Sequence, residues 1–187
     1  MSNADNIFTL ITIIFGLMLT ELFASMHRLI RNRRRVRWHW LPLLVTWLVL
    51  AMILKNWWGL AFIGGDDAWV SGWKFFFYGH LLLLLYLVAS AVLPDEVPAE
   101  GLDLREFYIG NCRYFWGVQA CVYLLLLVYT ILQPVFTEVP LNWQAVVPNV
   151  VMGTIALSLA MIRRVGYHAV IVVVIVLLLA LEIIRKF

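Results

Sequence analysis

The order of apolar and polar positions divides the chain into six long apolar runs joined by short polar stretches, with almost nothing left over. The runs cover residues 7–30, 41–63, 73–93, 107–132, 143–162 and 167–184. Each is near the roughly 20 apolar residues that a helix needs to cross a bilayer core. The pattern therefore predicts an all-α integral membrane protein, one domain over 1–187, built as a bundle of six transmembrane helices.

Several boundaries carry local chemistry. Asp103 and Glu106 have the spacing of a capping box at the start of the fourth helix. Pro42 suits the first turn of the second helix, and Gly166 is placed to turn the chain after the fifth. Pro148 falls inside the fifth helix beside Asn149 and removes one backbone hydrogen bond, which predicts a kink. A re-entrant fifth helix would move the C-terminus to the other side of the membrane.

Composition agrees with this pattern. Of 187 residues 64% are hydrophobic and 13% charged, against about half and a quarter in soluble domains. The net charge of +3 does not point to nucleic acid, because no polar stretch is long enough to form a binding domain. Cys112 and Cys121, nine positions apart on one predicted helix, are about 13 Å apart and cannot bond to each other. The acidic residue near the N-terminus is unlike a secretory signal, so the first helix is expected to stay.

The basic residues set orientation. With the N-terminus outside, the inner helix ends collect Arg28, Arg31, Arg33, Arg34, Arg35, Arg37, Arg105, Arg113, Arg163 and Arg164. The outer ends collect Lys55, Lys74, Arg185 and Lys186. Retention of basic residues in the cytoplasm then places both termini outside, with Arg185 and Lys186 counting against it. Arg31, Arg33, Arg34, Arg35, Arg37, Arg163 and Arg164 read first as topological anchors. Near an anionic leaflet each also adds about 1 kcal/mol of attraction to phospholipid head groups.

Ionisable groups inside a spanning helix are costly and face protein or a water-filled cavity. Counted from the helix ends, Glu21 falls about 20 Å below the outer boundary, with Tyr86 and Gln119 near the same level. Lys55, His80 and Asn149 lie in the outer third, and His27, Arg28 and Arg113 lie toward the cytoplasm. On the first helix Glu21, Ser25 and Arg28 share one face. Thr9, Thr12, Gly16, Thr20, Ala24 and His27 form a second face, small and polar, through which this helix is expected to pack centrally.

Two accounts of Glu21 follow. In one it is a buried partner for Arg28, His27, Arg113 or Gln119. In the other it carries a proton or cation along a path of Lys55, His80, Glu21, Tyr86, Gln119, His27 and Arg28. His39 and His168 offer a remote haem pair, although both read as solvated boundary residues, and no metal-ligand spacing occurs, so neither metal nor cofactor is required. They sit in an internal echo, Arg34-Arg-Val-Arg-Trp-His39 and Arg163-Arg-Val-Gly-Tyr-His168. Asp95, Glu96 and Glu100 read as a solvated turn without a nucleophile nearby, so catalysis has little support.

The expectation is an oligomeric channel or transporter for protons or small ions, with Glu21 at its midplane. The alternative is a non-catalytic, lipid-binding subunit or scaffold of a larger membrane complex; a haem or quinone redox subunit comes third. A bilayer with anionic phospholipid at the cytoplasmic face, a symmetric homo-oligomer and a bacterial inner membrane complete the reading.

Overall fold

The computed structural model describes residues 3–63, 72–136 and 140–186. The connections around 64–71 and 137–139 lie outside the described residues. The helices are α1 (Asn3–Arg31), α2 (Trp40–Ile63), α3 (Gly72–Ala91), α4 (Leu104–Phe136), α5 (Trp143–Met161) and α6 (Val165–Lys186). All six are long and apolar enough to cross a membrane, and they form an all-α bundle. Many large apolar side chains on their outer faces are exposed, as a hydrocarbon environment requires.

α4 is the central element. It packs most extensively on α5 and also on α3, while α1 packs on α3 and α2. The α4–α5 contact is close because α5 presents Gly153, Ala156 and Ala160; a Cβ at Gly153 would already touch the Tyr123 Cβ at 3.4 Å. α6 leans on α2 more than on α5.

One end of the bundle, the Arg-rich end, is closed by its connections. After α1 a short 3-10 turn, Arg33–Arg35, leads into β1 (Val36–Arg37), which pairs in parallel with β2 (Leu102–Asp103) from the α3–α4 connection. Arg37 adds an ion pair to Asp103 at 3.7 Å. Gly101, just before β2, has φ +102°, and a Cβ there would sit 3.0 Å from the Arg35 carbonyl oxygen. Val36 of β1 is buried, as are Leu93 after α3 and Leu104 at the start of α4.

Helix ends at this face are capped by side chains. Asp103 Oδ1 accepts the backbone N–H groups of Arg105 (2.8 Å) and Glu106 (3.2 Å), as the capping spacing predicts. The Asn111 amide donates to the Ala91 carbonyl at the end of α3 at 2.6 Å. These bonds satisfy backbone groups that a helix end leaves open.

Three expectations are corrected. Gly166 does not make the α5–α6 turn: it lies in the first turn of α6 with ordinary φ, and residues 162–164 make the connection. α4 starts earlier and runs on through Pro134 to Phe136. α1 does not pack through its small face. Its buried stripe is Ile11, Phe15, Met18, Leu22, Ser25 and Leu29, whereas Thr12, Gly16, Thr20 and His27 are exposed. The Thr12 and Thr20 hydroxyls donate to carbonyls four residues back, at 2.9 and 2.8 Å, so they need no neighbouring helix.

Candidate functional site: a cavity within the bundle

A cavity of about 670 Å³ lies among α2, α3, α4, α5 and α6. Along α2 it runs from Val45 to Gly59, about 21 Å at 1.5 Å per residue. Toward the Arg-rich end its walls are apolar, with Val45, Leu48, Val49 and Phe115. From the middle to the opposite end the walls gain Gln119, Tyr123, Tyr78, Tyr129, Asn149 and Asn56, and finally Lys55 and Glu182. A largely apolar pocket of this size with a few placed polar groups is the usual form of a small-molecule site.

Its polar residues are held in distinct ways. Lys55 Nζ meets Glu182 Oε2 at 2.6 Å, joining α2 to α6. The Asn56 amide donates to the Met52 carbonyl of its own helix at 2.8 Å. Gln119, 5% exposed, points its amide at the Met52 sulfur at 3.4 Å. Pro148, inside α5 as read from the sequence, faces the cavity beside Asn149.

Behind the Trp116 wall lies a buried polar chain. His168 is fully buried, and its Nε2 faces the Ile162 carbonyl at 2.7 Å, so Nε2 carries the proton and caps the end of α5. Nδ1 is left to accept the Tyr108 hydroxyl at 2.8 Å. The Tyr108 oxygen accepts the Trp116 indole N–H at 3.0 Å. Every member is satisfied, and the chain ties α4 to the α5–α6 hairpin, where Tyr167 also donates to Ser158 at 2.8 Å.

This placement corrects the reading of His168 as a solvated boundary residue. It also leaves the His39–His168 haem pair without free nitrogens on the His168 side, while His39 Nδ1 accepts the Leu41 N–H at 3.3 Å. Among the described residues no group of three His, Cys, Asp or Glu side chains is placed to hold a metal. The echoed Arg-Arg-Val segments differ, one forming β1 and the other opening α6.

The residues of the expected ion path are divided between places. Lys55 and Gln119 line the cavity. Glu21 and Arg28 do not; they pair with each other on α1 at 3.3 Å, with side chains 28% and 38% exposed. The same Arg28 nitrogen donates to buried Ser25 at 2.7 Å and lies 3.7 Å from Asp95. Arg28 Nε is buried and has no hydrogen-bond partner. His27, His80 and Tyr86 are exposed and separate, His80 Nδ1 donating to the Phe76 carbonyl at 2.7 Å.

The basic residues gather as the sequence orders them. Arg31, Arg33, Arg34, Arg35, Arg37, Arg163 and Arg164 are all exposed at the connections of one end. Arg34, Arg35 and Arg37 border a surface recess with Glu100 and Asp103. The Glu106 N–H, with the Arg105 N–H and the Arg37 and Arg105 charges, holds the Asp103 carboxyl below the usual carboxylate range against a smaller effect of desolvation.

Sequence reasoning passed over Glu182 and Tyr108, and read Asp95 only as part of a solvated turn. For Glu182 a signal existed: it lies near the same membrane boundary as Lys55, and an acid there invites a cation.

Fold and cavity together define an integral membrane protein, a six-helix bundle with a largely apolar cavity among five of its helices. No family model, no curated protein and no solved structure matched the chain.

Proposed function

We propose that the chain is a carrier-type membrane protein whose cavity takes up one elongated amphipathic molecule from the bilayer. The cavity itself carries this reading: about 670 Å³, apolar at one end, hydrogen-bonding at the other and bordered by five helices. Such a site matches a hydrocarbon body with a polar head better than a hydrated ion, which needs polar groups along its whole route. The test is retention of bound lipid by detergent-purified protein, read by native mass spectrometry. Met152→Trp, which adds bulk to the wall, is expected to abolish retention; unchanged retention would refute the reading.

A second reading keeps proton or small-ion transport through Glu21. It is favoured by one arrangement, a single guanidinium serving two carboxylates, Glu21 and Asp95, which leaves one excess negative charge for a proton or cation. Its test is proton flux into proteoliposomes, which Glu21→Gln would abolish.

In either reading the Arg-rich end faces the cytoplasm of a bacterial inner membrane, beside anionic phospholipid, with both termini outside. A homo-oligomer remains the expected assembly, and the exposed Thr12, Gly16 and Thr20 face of α1 supports it by permitting close helix approach.

A further inference from the structure

We infer that the protein holds an anionic phospholipid on its outer surface, where the seam between α4 and α5 reaches the Arg-rich end. The lipid phosphate sits between Arg113 of α4 and two arginines of the α5–α6 connection, Arg163 and Arg164. The inference rests on the membrane setting of the Arg-rich end and not on the cavity reading.

Helix register brings the three arginines together. α4 and α5 run antiparallel, with Gly153 set against Tyr123. Ten residues from this contact toward the Arg-rich end lie Arg113 on α4 and Arg163 just past the end of α5. Arg163 is close enough for its charge to reach the Cys112 thiol, next to Arg113. The bonds from Tyr108 through His168 to the Ile162 carbonyl fasten this corner to the first turns of α4. Ala120, within about 20° of Arg113 around α4, is buried. α5 ends at Met161, so Arg113, about 10 Å nearer the Arg-rich end than Ala120, emerges from the contact and is exposed.

Depth and charge select the ligand. Asn111 reaches the Ala91 carbonyl where α3 ends, so Arg113 stands at the level where α3 and α5 both finish. A helical Cβ tilts toward the helix N-terminus, which for α4 is the Arg-rich end, so the Arg113 stem lies along apolar surface and its guanidinium extends toward the head groups. On the other side of that level Leu124, about 20° from Arg113 around α4, and Leu157 and Met161 of α5 are exposed and offer an apolar seam to an acyl chain. Among the described residues none of the three arginines forms an ion pair, and Glu106, seven positions before Arg113, pairs with none of them. Guanidinium groups gathered without a carboxylate repel one another, and a phosphate placed among them accepts paired N–H bonds from each. Arg34, Arg35 and Arg37 differ: they share their recess with Glu100 and Asp103.

The experiment is native mass spectrometry of the delipidated full chain titrated with phosphatidylglycerol and phosphatidylcholine of identical acyl chains. Wild-type protein is expected to bind phosphatidylglycerol about tenfold more tightly in apparent Kd. Arg113→Gln and, separately, Arg163→Gln/Arg164→Gln are each expected to abolish the preference, whereas Arg33→Gln/Arg34→Gln/Arg35→Gln keeps it. Met152→Trp, which fills the cavity, is also expected to keep it, and inorganic phosphate at the lipid concentration is expected to displace nothing. Equal binding of the two lipids by the wild type, or a preference that the seam variants retain, overturns the inference. Loss of the preference in the Arg33–Arg35 variant overturns it in favour of diffuse attraction, and loss in Met152→Trp overturns it in favour of the cavity. Displacement by inorganic phosphate overturns it in favour of a soluble anion. Arg163 and Arg164 lie outside any helix, so their variant decides the matter if Arg113→Gln does not fold.

Discussion

Replacing Tyr108 by Phe removes one oxygen and two hydrogen bonds at once. The hydroxyl donates to His168 and accepts from Trp116, and all three residues are buried, so the variant leaves an acceptor and a donor without partners in a dry interior. An orphaned buried polar group costs about 1–3 kcal/mol. Hydrogen bonds between helices in a bilayer are worth less, about 0.6 kcal/mol on average and at most about 1.7, because the separated helices find other partners. Two bonds at these values give an expected loss of about 2 kcal/mol, or roughly thirtyfold in the unfolding equilibrium. Reversible unfolding in mixed micelles, followed by tryptophan fluorescence, measures it. Trp116→Phe completes a cycle: with both polar groups gone, the double variant is expected to lose less than the sum of the single losses. A Tyr108→Phe variant within about 0.5 kcal/mol of wild type, or strict additivity, would refute the account of the chain as a satisfied network.

Three further outcomes are expected. Gly101→Ala forces a Cβ against the Arg35 carbonyl at positive φ and is expected to cost about 1–3 kcal/mol, seen as a lowered unfolding midpoint. Because the Asp103 carboxyl is held below its unfolded value, it stabilises the fold above the unfolded value near 3.9 and loses that contribution as pH falls through its lower folded value. Asp103→Asn, which still caps α4, should lack this acid-sensitive component when thermal unfolding is compared across pH 6 to 2. Glu21→Gln keeps an acceptor for Arg28, which retains Ser25 and Asp95, so a stability loss under about 1 kcal/mol is expected by the same unfolding assay.

The spanning helices were legible because their signal is local: uninterrupted apolar length is enough, and the observed bounds differ from the expected ones by a few residues. The face of α1 was not. Small polar residues at helical spacing suggested packing within the bundle, but threonine hydroxyls return to their own helix, so Thr12 and Thr20 stand on the outer face without an unpaired donor. The Glu21–Arg28 pair was among the partners expected, since both residues share one helix face. Tyr108 with His168 was hidden because the partners stand 60 residues apart, and Lys55 with Glu182, 127 residues apart, left only the trace of a shared membrane boundary. His168 at a helix start looks like any boundary histidine until α4 is laid against it.

The pairing of β1 with β2 also bears on how the chain is threaded into the membrane. Val36 leaves the ribosome 66 residues before its partner Leu102. The first hairpin therefore stays unfastened until α2 and α3 have both been delivered. If α3 enters the wrong way round, Leu102 and Asp103 emerge on the far side, where neither the strand pairing nor the Arg37–Asp103 contact can form. The two-residue clasp thus requires the α1–α2 and α3–α4 connections to lie at the same end of the bundle.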